Sequence, residues 1–284
     1  MDLTTISNKK ICFFLFLCFV AHFLIQAFVV LPLAFILSDI NIGLQMIIIA
    51  FFYILVTTLS LKALVKKGFN LGLSDFRIDK PTLNLFAILS GVGLVSFVVL
   101  SYVFFVKGEL VINSLSPLQT FNTFAQTFFF IGLGASITEE FVFRGVALGL
   151  VEKKWGIKAA IVLPNLIWAV LHILTSDFSD PIGILMRVGS ISYVGIIFSI
   201  ITIKTNTIWV AVFFHSIWNY TNTGIIYIST KEKAESPLNF VIESENLFIT
   251  GGTFGIDGSV ITMLGFSLLL VAYLLKYRNS VSHG

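Results

Sequence analysis

Long apolar runs separated by short polar or basic stretches set the pattern of this chain. They cover about Ile11–Leu37, Ile42–Leu61, Leu83–Val106, Phe121–Val151, Ala159–Leu174, Ile182–Ile203, Ile208–Ile228 and Val260–Leu275. A helix needs roughly 20 residues to cross the hydrocarbon core of a bilayer. The pattern therefore predicts an all-α, polytopic bundle of about eight transmembrane helices. The loops are mostly short, so residues 1–284 are expected to form a single integral membrane domain. The fifth and eighth runs are short, and their ends are expected to be buried in the bundle or extended by interfacial residues. Lys9 and Lys10 precede the first run, as in a signal peptide. That run is longer than a signal h-region and has no clear small-residue cleavage site, so it is expected to be a retained helix.

Basic residues orient the spans. With the N-terminus in the cytoplasm, the inner loops and termini gather Lys9, Lys10, Lys62, Lys66, Lys67, Arg77, Lys80, Lys153, Lys154, Lys158, Lys204, Lys276 and Arg278. The outer loops hold only Lys107, Lys231 and Lys233, and Arg144 and Arg187 fall within spans. Cytoplasmic loops carry such an excess of Lys and Arg. Both termini are therefore expected inside.

Composition agrees with a lipid environment. Of 284 residues 57% are hydrophobic and 12% charged, and the mean hydropathy is +0.97. The 30 phenylalanines suit lipid-facing and helix-packing surfaces and imply no chemistry. A net charge of +3, with its basic residues flanking the membrane, gives no nucleic-acid footprint. Cys12 and Cys18 share the first run, with neither metal-ligand spacing nor a disulfide framework. Two loops are longer, an inner basic one at about Lys62–Pro81 and an outer one at about Ser229–Ser259. The outer loop ends Thr250-Gly251-Gly252-Thr253-Phe254-Gly255-Ile256-Asp257-Gly258-Ser259. It lacks the Gly-Lys-Ser/Thr ending of a phosphate cradle and any evident preceding strand. It reads as a tight turn into the last helix, with Asp257 or Ser259 as N-cap.

Against this background, ionisable groups inside spans are costly and ask for a function. The fourth span holds Glu139, Glu140 and Arg144, the fifth His172, and the seventh His215 and Asn219. Counting from the inner basic residues, Glu139 and His172 each lie about 21 Å deep and His215 about 17 Å, at about 1.5 Å per residue. Three helices thus carry these groups to one layer. Glu140 and Arg144 are four apart and can pair along the helix, which eases the burial of both charges. Glu139 is turned about 100° away and is freer to face the histidines. Two chemistries fit. Glu139, His172 and His215 are a usable zinc set with water in the fourth position. Without metal, Glu139 with His172 activates water while His215 and Asn219 donate to an oxyanion.

Glu139-Glu140-x-x-x-Arg144, Trp168-x-x-x-His172 and His215-x-x-x-Asn219, each on its own membrane helix, resemble the motifs of the CPBP family. These are the CAAX-prenyl-protease and bacteriocin-processing intramembrane proteases, also called the Abi family. The resemblance spans about Glu139 to Asn219, within a catalytic core expected at about 119–228. It implies a helical membrane endopeptidase, with Glu139, Glu140, His172, His215 and Asn219 as catalytic positions and Arg144 as support. It leaves open whether zinc or another divalent metal takes part. Expected substrates are prenylated C-termini or leader peptides, such as bacteriocin or pheromone precursors, in a bacterial plasma membrane. Trp168 stands where the second motif usually has Phe, and it keeps an aromatic wall.

Other polar residues read as structural. His22 and Gln26, one turn apart, lack a partner motif. Arg187 is expected to snorkel or to pair with an acidic loop residue, and His283 is a tail residue. Two other classes remain: a non-proteolytic immunity or scaffold protein that binds a peptide or membrane partner, and a transporter with carboxylate proton relays. No clear inverted repeat favours the transporter.

Overall fold

In a bilayer core a backbone must satisfy its own N–H and C=O groups, most simply as helix, and the long apolar runs fold largely that way. The computed structural model describes residues 3–176 and 178–278; His283 lies outside them. Long helices α1 (Asn8–Ile36), α2 (Ile42–Phe69) and α3 (Leu85–Phe105) are followed by helix α4, over 117–155. Then come α5 (Ile157–Leu171), α6 (Pro181–Thr205), α7 over 209–225, and α8 (Val260–Lys276). Among the described residues, five helices are long and apolar enough to cross a membrane, and these are α1, α2, α3, α5 (extended to Leu174) and α6. The last helix, α8, is apolar but shorter. Large apolar side chains cover the outer surface, among them Phe28, Phe35, Phe104 and Phe105 at 72, 82, 72 and 86% exposure. So large an apolar exterior needs lipid as its solvent.

Two departures from the sequence pattern bear on the site. First, the chain is not all-α. The strands Gly108–Ile112 (β1), Ile226–Ser229 (β2) and Leu238–Ile242 (β3) form a sheet in the order β1-β3-β2. β1 runs antiparallel to β3, with Gly108 opposite Ile242, and β2 runs parallel to it, with Ile226 opposite Leu238. The seventh apolar run therefore leaves helix at Ile225, and its last residues pair as strand. A short apolar run of β-branched residues looks alike to periodicity in either state. Second, β3 precedes the glycine-rich segment, contrary to the expectation of no preceding strand. Ser259, not Asp257, is the N-cap of α8, its side chain accepting from Thr262 N at 3.1 Å. Gly251 (φ +74°) must be glycine, since a Cβ there would lie 1.6 Å from Gly255 O.

α4 is one helical run of alternating character. π-helical segments at Ala125–Ala135 and Phe141–Ala147 flank an α-helical turn, Ser136–Glu140, that carries both glutamates. Such i→i+5 widenings turn the side chains that follow and occur often at functional sites. At the inner end, Arg77 holds Glu152 through two bonds of 2.7 and 3.0 Å, tying the basic loop to α4. Two apolar core clusters result. One joins α1, α2, α4 and α5 with Ile191 of α6 and Val212 of α7, and includes Trp168. The other joins α3, α6, α7, α8 and the sheet and includes Phe198, Trp218 and Phe266.

Candidate active site

The seam between these clusters holds a cavity of about 300 Å³. Residues of both line it: Trp168 and Ile191 from one, Phe198, Trp218 and Phe266 from the other. Glu139, His172, His215 and Asn219 all line it, brought from α4, the C-terminal end of α5, and α7. Glu140 and Arg144 do not. They sit behind the wall at 0% exposure.

The buried pair organises the wall. Glu140 Oε1 accepts from Arg144 Nη1 at 3.1 Å and from His215 Nδ1 at 2.9 Å. Arg144 Cζ lies 4.0 Å from the centre of the Trp168 ring, so the guanidinium also stacks on the cavity's aromatic wall. Space there is tight. A Cβ on Gly195 of α6 would lie 2.8 Å from Arg144 Nη2 and 2.5 Å from Asn165 Oδ1. Trp168 Nε1 donates to Glu139 Oε2 at 2.9 Å. The indole at the position of the usual Phe thus holds the carboxylate as well as shaping the wall.

Hydrogen bonds also set the histidine tautomers. His215 Nδ1 faces a carboxylate and His172 Nδ1 faces the Trp168 carbonyl at 2.8 Å. Both partners only accept, so each Nδ1 carries the proton. The ring of Trp168 packs edge-on to both imidazoles, with centres 5.1 Å from His172 and 5.9 Å from His215. Asn219 Nδ2 reaches Ile131 O at 3.4 Å, which uses one of its two N–H groups. For zinc, the donor types are suitable. Among the described residues, however, no three His, Cys, Asp or Glu side chains come together in a group able to hold a metal ion.

Residues 121–221 match the family described as type II CAAX prenyl endopeptidase, Rce1-like. That bears out, over this stretch, the resemblance read from the three motifs. Comparisons with curated proteins and with solved structures found no match. The Rce1-like stretch contains Glu139, Glu140, Arg144, Trp168, His172, His215 and Asn219.

Several site residues lie outside the Rce1-like stretch. Phe254, Asp257, Thr262 and Phe266 line the same cavity from the far end of the chain. Asp257 Oδ1 accepts from Trp218 Nε1 at 2.6 Å and Asn222 Nδ2 at 3.4 Å. Burial pushes its carboxyl above the usual carboxylate range, against the Trp218 hydrogen bond. Sequence reasoning took Asp257 for a cap candidate, and the only signal for more was an acidic residue in an apolar chain. Arg187 donates to His172 O at 3.2 Å and lies 4.8 Å from the Phe254 ring centre, joining α6 to the end of α5. His22 and Gln26 bond each other at 3.1 Å, and Gln26 donates to Tyr53 at 3.0 Å.

Proposed function

We propose that this protein is an intramembrane endopeptidase that hydrolyses a peptide bond of a prenylated or leader-type peptide. The observation that carries this reading is the meeting of Glu139, His172, His215 and Asn219 in one cavity between apolar helices. The Rce1-like match over 121–221 supports it. Eight spans with both termini inside, in a bacterial plasma membrane, are the arrangement we propose around it.

The chemistry uses this chain's own groups. Glu139, seated by Trp168, takes a proton from water as the oxygen attacks the scissile carbonyl carbon. His172, on the same wall, orients that water. The carbonyl π bond opens to an oxyanion, and one N–H of Asn219 donates to it. His215, held on Glu140 through Nδ1, lines the wall beside Asn219 and positions the carbonyl. Glu139 then returns its proton to the amide nitrogen as the C–N bond breaks and the carbonyl re-forms, leaving a carboxylic acid and an amine, which pass one proton between them to end as carboxylate and ammonium. Glu140 and Arg144 touch no substrate in this scheme and act by positioning His215. The apolar walls of the cavity accept aliphatic side chains or a prenyl group.

The test is cleavage by purified protein in liposomes, with a farnesylated CAAX peptide and a leader peptide as substrates. Cleavage of either at one bond, surviving a chelator, is the expected result. Activity lost to the chelator and restored by zinc would contradict the metal-free scheme. No cleavage of either peptide would contradict the peptidase reading.

A further inference from the structure

We infer that Asp257 is a peptide-binding residue of this cavity, accepting a hydrogen bond from a backbone N–H of the bound peptide through Oδ2. The inference rests on the peptide-binding part of the function proposed above.

Asp257 arrives from the loop before α8 and lies outside the Rce1-like stretch. It is deep in the fold, yet part of its surface opens on the cavity that holds Glu139 and His215. Its two hydrogen bonds, from Trp218 and Asn222, both fall on Oδ1, and among the described residues Oδ2 takes none. A carboxylate offers about four acceptor directions, so Oδ2 has capacity to accept from a ligand in the cavity. The lining includes Phe254, Phe266, Ile191 and Val194 beside the hydroxyls of Thr262 and Ser190. A donor to Oδ2 can come from what enters the cavity. A peptide in extended form brings backbone N–H groups at regular spacing, whatever its side chains. Arg187 is within Coulombic reach of Asp257. The Trp218 indole and the Asn222 amide both hold Oδ1 in place.

Asp257→Asn isolates this oxygen. The Trp218 N–H keeps the amide oxygen at the Oδ1 place, and an NH₂ donor replaces Oδ2. Binding is measured in detergent with a labelled farnesylated peptide ending in a CAAX sequence. Three analogues are each N-methylated at one of the three amides after the prenyl-cysteine. The protein carries Glu139→Gln to block turnover, with and without Asp257→Asn. One analogue is expected to bind about tenfold more weakly than the parent peptide when Asp257 is present, a factor worth about 1.4 kcal/mol. With Asp257→Asn that penalty is expected to vanish. Equal penalties with and without Asp257, at all three amides, would overturn the assignment. Asp257→Ala gives the same comparison should the Asn protein not fold. Cleavage of the parent peptide by protein retaining Glu139 is read separately. Binding without cleavage contradicts the peptidase reading alone, whereas no binding of any peptide overturns both.

Discussion

Glu140 Oε1 lies 2.9 Å from His215 Nδ1, joining α4 to α7 behind the cavity wall. This contact fixes which imidazole nitrogen faces the substrate. Glu140→Gln keeps the shape, and Arg144 Nη1 and His215 Nδ1 hold its amide oxygen at the Oε1 place, but the negative charge facing the imidazole is lost. A fall in kcat of about 10²–10⁴ is expected, the range of a lost acid–base function, with KM close to wild type. Steady-state kinetics on the cleaved peptide check this. A raised KM with unchanged kcat would place Glu140 in substrate binding instead.

Arg144 is fully buried against Glu140. Removing one member of a buried ion pair leaves an unpaired charge and typically costs about 3–5 kcal/mol. Arg144→Met should therefore lower the melting temperature sharply in detergent. The double change Arg144→Met with Glu140→Leu should recover most of that stability while remaining inactive. Thermal unfolding of the two variants side by side reads both outcomes.

Gly195 marks how closely α6 approaches the pair. A methyl group there would crowd Arg144 Nη2 and Asn165 Oδ1. Gly195→Ala is expected to destabilise by about 1–3 kcal/mol, as overpacking does. Gly189 of the same helix has open space at its Cβ, and Gly189→Ala should be tolerated. Unfolding midpoints compare the two directly.

Much of this site was legible because membrane helices make polar residues conspicuous. Glu139, Arg144, His172 and His215 stood out in apolar runs, and counting residues from the basic ends placed them in one layer. Helical spacing gave the Glu140–Arg144 pair. The contact between Glu140 and His215 was not legible, since it depends on how α4 and α7 rotate against each other across the π-helical segments. The indole bond from Trp168 to Glu139 was hidden for a similar reason: Trp read as a bulky substitute for Phe. The sheet went unread because Gly108–Ile112 and Ile226–Ser229 continue apolar runs without a break. With the sheet unseen, nothing indicated that the loop after β3 returns Phe254 and Asp257 to the cavity.

Asp257 lends the cavity a pH dependence. Its carboxyl is pushed up by burial, so it takes a proton at a pH above the ordinary value of about 3.9. As an acceptor it acts only when ionised. Peptide binding through it should be present at higher pH and fade as the pH falls through the raised value, where wild type and Asp257→Asn converge. For stability the sign is opposite: the raised carboxyl favours the folded state at low pH, and that advantage is lost as pH rises through the folded value. Binding and melting curves of both proteins across the acidic range separate the two effects.

Glu139 lines the cavity with its carboxylate held by Trp168 Nε1 at 2.9 Å. The most direct test of the account is the cleavage rate of wild type against Glu139→Gln, with the products identified by mass. The amide oxygen can still accept from Trp168, so fold and peptide binding should persist while cleavage falls by about 10²–10⁴, the reach of a single acid–base group. Cleavage at the same bond within a few-fold of wild type would contradict the central claim that Glu139 activates the attacking water.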